Sequence, residues 1–328
     1  MMFCNIRFGI LAAVFLFFLG TFVPKKAFSE DFDAWLAALR VEAVARGIKP
    51  EILDAALDGV VPLARVIELD RSQPEFTLTF EEYLTRVVPR SRVEKGRKKL
   101  RENRELLQAV AKRYGVQPRF LVALWGIETD FGRLTGGFSV VQALVTLAFD
   151  GRRSAYFRKE LLAALQILDE GHIAPDAMTG SWAGAMGQSQ FMPTTFLGFA
   201  VDHDADGQQD IWNTRADVFA SAANYLAKSG WNGKENWGRR VRLPEGLDPA
   251  LIGLEVEKPI QDWQRLGVRR ADGSDLPKAE ISGSIVSTDD GKGPAYLVYG
   301  NYRALLNWNR STFFAVAVGT LADRIGGR

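Results

Sequence analysis

The spacing of apolar side chains divides this chain into stretches of different texture. In DFDAWLAALRVEAVARG, residues 31–47, Phe32, Trp35, Leu36, Leu39 and Val44 form one stripe at helical intervals, and Gly47 provides the stop. Helical spacing continues to about Gly115. Within it, Ser91 and Glu94 follow Pro89 in the order of a capping box and predict a helix start. That helix carries Lys95, Arg97, Lys98, Lys99, Arg101 and Arg104, a face that either is simply solvated or meets an acidic substrate. Residues 118–228 read as helical again, with Pro118 suited to a first turn and Gly132 to a stop. From about Arg239 to Gly300 the apolar residues alternate or fall in short runs (Val241, Leu243; Ile281, Ile285, Val286). PEG, ADGS and DDGKG interrupt them, which predicts a small β-rich unit. From Tyr302 to Ile325 the helical pattern returns.

The first residues have a pattern of their own. Arg7 precedes an uninterrupted apolar run from Phe8 to Val23, followed by Ala27-Phe28-Ser29, the pattern of a secretory signal cleaved near Ser29. A retained membrane anchor is the rival, although the run is shorter than the roughly 20 residues a spanning helix needs. The only cysteine, Cys4, lies ahead of that run, so the exported chain has no disulfide. Removing residues 1–29 takes away Arg7, Lys25 and Lys26 and no acid, which changes the formal charge from +2 to −1. The basic surplus of a nucleic-acid binder is therefore absent.

Three stretches carry chemistry. ALWGIETDFGR, residues 123–133, places Glu128 in an almost wholly apolar helix near its end. Burial and the negative end of the helix dipole both favour the protonated carboxyl, as a general acid requires. The rival reading lets Glu128 reach solvent at the helix end. Asp130, two residues on, is about 200° around the helix from Glu128 and is read as a solvent-facing helix-end residue. In GSWAGAMGQSQFMPTTF, residues 180–196, glycines permit close backbone approach and Gln188 and Gln190 offer amides. Trp182, Met186 and Phe191 add apolar walls, a combination suited to sugars or to a tight helix-to-helix connection. DHDADGQQD sets Asp202, Asp204, Asp206, Gly207 and Asp210 at positions 1, 3, 5, 6 and 9 of an EF-hand-like loop, with Asn213 where a closing glutamate belongs. The loop is either a Ca²⁺ site or an acidic turn. His172 and His203 are too isolated for a transition metal.

GIETDFGR, SWAGAMGQSQFMPTTF, DIWNTRADVFASAANYL, WQRLGVRRADG and NWNRSTFFAVAVGTLADRI follow one another between about Ala34 and Ile325. In these motifs the sequence resembles the B-type lytic murein transglycosylases, exported bacterial enzymes that cleave peptidoglycan glycan strands. The resemblance implies a mainly α fold: a goose-lysozyme-like helical core, an N-terminal helical domain and a small β-rich insertion. The expected divisions are a signal peptide (1–29), a helical domain (30–115), a catalytic core (116–238), a β-rich subdomain (239–300) and a returning C-terminal helix (301–328). Glu128 is implied as acid and then base, with Ser181, Gln190, Tyr83, Tyr156, Tyr225 and Asn309 around the glycan. Some relatives have tyrosine beside that asparagine and shortly after it, where this chain has Trp308 and Phe314. Relatives that bind Ca²⁺ close the loop with a later acid, here Asp217, so the implied ligand set is Asp202, Asp204, Asp206, Gln208 and Asp217.

The implied reaction is non-hydrolytic cleavage of the β-1,4 MurNAc–GlcNAc bond to a 1,6-anhydro end in the periplasm, with no cofactor and at most a structural Ca²⁺. Peptidoglycan strands are the expected partner, with cell-wall synthesis or division proteins as further candidates. The alternatives are a hydrolytic muramidase and a non-catalytic wall-binding scaffold.

Overall fold

A computed structural model describes residues 25–72 and 78–327. Residues 1–24 of the expected signal lie outside the described residues, as do residues 73–77. The chain divides into two compact units, Met1–Glu42 and Ala43–Arg328. In the first, α1 (Lys25–Ala45) begins, and Phe32 stacks on Trp35 with ring centroids 6.0 Å apart. The second unit takes up the end of α1, where Val44 is 49% exposed and does not complete the predicted stripe. Consecutive helical residues differ by about 100°, and here it is the neighbouring Ala43 that faces inward.

After α1 come α2 (Pro50–Leu57), α3 (Ala64–Arg71), α4 (Phe80–Val87), α5 (Arg90–Glu102) and α6 (Arg104–Tyr114). The capping box expected at Ser91 and Glu94 does not form. Pro89, with its ring-fixed φ, is the N-cap, so Ser91 is already helical and Glu94 pairs with Arg90 at 2.8 Å. A capping box occurs instead at α4, where the Thr79 hydroxyl accepts the Glu82 N–H and Glu82 Oε2 accepts the Thr79 N–H at 2.9 Å.

The central helix is α7 (Pro118–Thr129), followed by β1 (Phe138–Ser139), α8 (Val140–Phe149), α9 (Ser154–Asp169), β2 (Thr179–Gly180), α10 (Pro193–Phe199) and α11 (Arg215–Lys228). Pro118 opens α7 as expected, because its missing N–H would find no partner in a first turn. Nine of the twelve α7 residues are buried, so this helix is apolar on nearly every side rather than along one stripe.

The β-rich stretch contributes β3 (Gly238–Arg242), β4 (Lys258–Pro259), α12 (Ile260–Arg265), β5 (Arg269–Arg270), β6 (Ser282–Ser287) and β7 (Ala295–Val298), before α13 (Gly300–Trp308) and α14 (Thr312–Ile325). Its five strands pair antiparallel in the order β4-β6-β7-β3-β5. All four β7 residues are buried because both faces of the strand are covered. Tyr296 and Val298 enter the helical core with Phe120, Trp125 and Leu321, while Leu297 enters a second core with Ile260, Trp263 and Ile285. The sheet is thereby joined to the helices through alternate side chains of one strand.

Candidate active site

Glu128 occupies the last turn of α7, and the end of that helix is held unusually firmly. Asp130 (φ 49°), Phe131 (φ 63°) and Gly132 (φ 80°) are left-handed in succession, a costly run for the two residues with side chains. The reversal folds Phe131 back edge-on to Trp125, centroids 5.7 Å apart, and over Gly126, where an added Cβ would lie 2.8 Å from the ring. Gly132 is required twice over, by its φ and because a Cβ there would stand 2.3 Å from Gln188 Oε1. That oxygen accepts the Trp125 indole N–H at 2.8 Å, and the Gln188 backbone carbonyl accepts the Thr129 hydroxyl at 3.0 Å.

Asp130 is not the solvent-facing residue expected. Its side chain is only 14% exposed, accepts from Lys95 Nζ at 2.9 Å and Arg133 Nε at 2.7 Å, and faces Arg92 Nε at 3.9 Å. The expectation failed because residue 130 has left helical geometry, so helical rotation no longer locates its side chain. Burial pushes its carboxyl upward, but the hydrogen bonds from Arg133 and Lys95 outweigh that and hold it below the usual carboxylate range.

The Glu128 carboxyl lies in a narrow cavity among Leu124, Trp125, Gln188, Phe219, Ala222 and Trp308. Burial raises its pKa from 4.5 to about 7, against a smaller opposite pull from the Trp308 indole, which donates to Oε1 at 2.7 Å. An indole N–H can only donate. Oε1 is therefore the accepting oxygen, and because a carbonyl oxygen accepts better than a carboxylic hydroxyl this favours the proton on Oε2. Trp308 is in turn wedged between Phe191 (5.3 Å) and Tyr225 (5.1 Å), and the Tyr225 hydroxyl donates to the Asn307 carbonyl at 2.6 Å. Glu128, Trp308, Phe191 and Tyr225 thus form one group. Trp308 supplies both a ring and a hydrogen-bond donor.

Residues 180–191 fold back on themselves through bridges from Met186 to Gly180 and Phe191. Their glycines serve close approach within the protein: a Cβ at Gly187 would stand 2.6 Å from the Ile211 carbonyl. The Ser181 hydroxyl accepts the Ala185 N–H at 3.0 Å, and Gln190, left-handed at φ 50°, donates to the carbonyls of Thr135 (3.1 Å) and Gly187 (2.9 Å). Ser181 and Gln190 line one open depression with Trp182 and Arg133.

The other expected substrate residues are more dispersed. Tyr83 on α4 packs against Phe313 at 5.6 Å. Tyr156 on α9 is 48% exposed, and its ring contact is with Phe157, outside the group around Glu128. Asn309 is exposed and accepts the Ser311 N–H at 3.0 Å, shaping the turn into α14. Sequence reasoning missed the roles of Trp308 and Gln188. Trp308 is 180 positions from Glu128, and nothing in the run Gly187-Gln188-Ser189-Gln190 says which amide turns inward.

In the acidic loop, carboxylate oxygens of Asp202, Asp204 and Asp217 lie within 4.8 Å of one another. Asp217 is fully buried and accepts the N–H groups of His203 (2.7 Å) and Asp210 (2.8 Å). Burial chiefly, and then the charges of Asp204 and Asp202, raise its pKa. Three converging hard oxygen donors around one buried acid fit a cation such as Ca²⁺. Asp206 stands apart from this trio, accepting the Gln208 N–H at 2.8 Å.

Residues 31–323 match the family described as Transglycosylase SLT domain. The chain belongs to this family. Membrane-bound lytic murein transglycosylase B of Escherichia coli (strain K12) is 32% identical over 227 residues, which cover 65% of this chain and 58% of that protein. SltB3 from Pseudomonas aeruginosa, solved in complex with NAG-NAM-pentapeptide, is 43% identical with a TM-score of 0.88, covering 90% of this chain and 80% of its own. Slt35 of Escherichia coli, solved in complex with calcium, is 27% identical with a TM-score of 0.76, covering 89% of this chain and 92% of its own. The family members share a lysozyme-like helical fold with small sheets, as the sequence motifs implied.

Proposed function

We propose that this chain is a lytic murein transglycosylase that cleaves the MurNAc–GlcNAc bond without water and leaves a 1,6-anhydro end. One observation carries the reading: among the described residues, Glu128 is the only carboxylate lining its cavity, and its pKa of about 7 leaves it partly protonated at neutral pH and protonated below, so that it can both give and take a proton. Glu128 gives its Oε2 proton to the glycosidic oxygen as the C1–O bond breaks. The substrate's acetamido oxygen stabilises the cationic centre. The carboxylate then removes the C6 hydroxyl proton as O6 bonds to C1, so the proton returns to Glu128 and no water is consumed. A second carboxylate is unnecessary because the nucleophile is part of the substrate, at high effective molarity. A hydrolytic muramidase would turn the same carboxylate on a water in place of the C6 hydroxyl, so the fate of water in the product separates the two, and a scaffold would need no proton donor at 128. SltB3, solved with NAG-NAM-pentapeptide and also with NAG-anhNAM-pentapeptide, supports peptidoglycan as the substrate.

Ser181 and Gln190 form the glycan-facing wall in this proposal, with Tyr83, Tyr156, Tyr225 and Asn309 along the strand's path. Segments 30–115, 116–238, 239–300 and 301–328 act as helical support, catalytic core, β-rich flank and closing helices. Asp202, Asp204 and Asp217 hold a structural Ca²⁺, with Asp206 and Gln208 completing the loop. The chain works in the periplasm after cleavage near Ser29. No helix among the described residues is long and apolar enough to cross a membrane. Glu128→Gln keeps size and most hydrogen bonding but cannot return a proton. Turnover of purified sacculi should fall by at least roughly 10²–10⁴-fold, while the variant still pulls down with sacculi. Retained turnover would overturn the assignment.

A further inference from the structure

The depression that Ser181 and Gln190 line has one charged side chain, Arg133, among its described lining residues. Any glycan lying against Ser181 and Gln190 therefore lies beside this guanidinium. Arg133 is 63% exposed, yet it is oriented. Its Nε donates to Asp130, which Lys95 grips from the other side, so the planar fork is fixed at its root. Neither Nη atom has a partner among the described residues. The surroundings add to the attraction for an anion, since Arg92, Lys95 and Arg133 converge on the single carboxylate of Asp130, and Arg92 Nε is buried without a hydrogen bond. That leaves a surplus of two positive charges beside the cleft. Leu134, 55% exposed in the same wall, gives an apolar surface next to the fork.

We infer that Arg133 is a specificity residue that reads a carboxylate carried by the C3 substituent of the muramyl sugar. The inference rests on the proposed reading of Ser181 and Gln190 as the glycan wall. A guanidinium with two free donors takes a carboxylate in a two-pronged hydrogen bond, which selects for both charge and geometry. Two sources present this chemistry. Peptide-free strands end the C3 substituent in a lactyl carboxylate, whereas peptide-bearing strands carry the acid on the stem. N-acetylglucosamine oligomers have neither.

Steady-state kinetics on these three glycans, at low and high salt, test the idea with the parent, Arg133→Gln and Arg133→Lys. The parent should prefer a carboxylate-bearing glycan over chito-oligosaccharide by tenfold or more at low salt, and the preference should shrink as salt screens the charge. Arg133→Gln should collapse that ratio through a rise in KM, and Arg133→Lys should keep part of it because the charge survives without the fork. The carboxylated glycan whose KM rises identifies the source. Equal losses on all three glycans, or an unchanged ratio, would overturn the inference and leave Arg133 as an anchor for Asp130. A parent that cleaves none of the three would defeat the transglycosylase reading instead.

Discussion

At Glu128 burial pushes the carboxyl toward about 7 while the Trp308 indole pulls it back. Trp308→Phe keeps the ring but removes the donor, so the carboxyl should become less acidic still. The basic limb of the kcat/KM profile should move to higher pH, and kcat should fall roughly tenfold or more, the worth of a hydrogen bond to a charged group. A limb that stays in place would show that the indole acts only as packing. Asp130 has the opposite sign. Its folded pKa is depressed, so it stabilises the fold above its unfolded value and that stability disappears as pH falls through the folded one. Asp130→Asn should lower stability by about 1–2 kcal/mol at pH 7, seen as a reduced Tm, and the gap from the parent should close as acid protonates Asp130, below the usual carboxylate range. Glu128 could be recognised in the sequence because a lone acid in an apolar helix is conspicuous. Its donor could not, since an indole is as much at home in an ordinary core.

The end of α7 and the acidic loop show what spacing can and cannot reveal about an element. Alternate aspartates with a glycine located Asp202 and Asp204, but Asp217 lies in α11 and only the fold brings it to them. Ca²⁺ should raise the Tm of the parent, by about 2.7 kcal/mol of stabilisation at 100 times Kd. Asp202→Asn with Asp204→Asn should abolish the rise. Identical melting with Ca²⁺ and with chelator would remove the site from the account. The capping box failed at Ser91 because proline starts the helix two residues too early, a conflict between two local rules that only geometry resolves. The left-handed Phe131 had no signal at all, as bulky residues seldom take that conformation.

Across the molecule, the helical texture and the β-rich stretch were legible because each element's period is local. The strand order β4-β6-β7-β3-β5 was not, since it depends on partners distant in sequence. One titration reports on the whole fold. The Glu128 pKa is raised on folding from 4.5 to about 7, so its protonated form stabilises the protein fully below about pH 4.5, and that stability is lost as pH rises toward 7. Glu128→Gln does not titrate and should gain on the parent across this window, reaching on the order of 3 kcal/mol. Denaturant melts at pH 4.5 and pH 8 would show the difference, and equal gaps at both would mean that the carboxyl is solvated. In the proposed mechanism a single carboxyl suffices because the substrate supplies its own nucleophile. Digestion of sacculi in ¹⁸O-water, read by mass spectrometry, shows whether water enters the product. Muramyl ends one water lighter and free of label are the predicted result, and labelled reducing ends would contradict it.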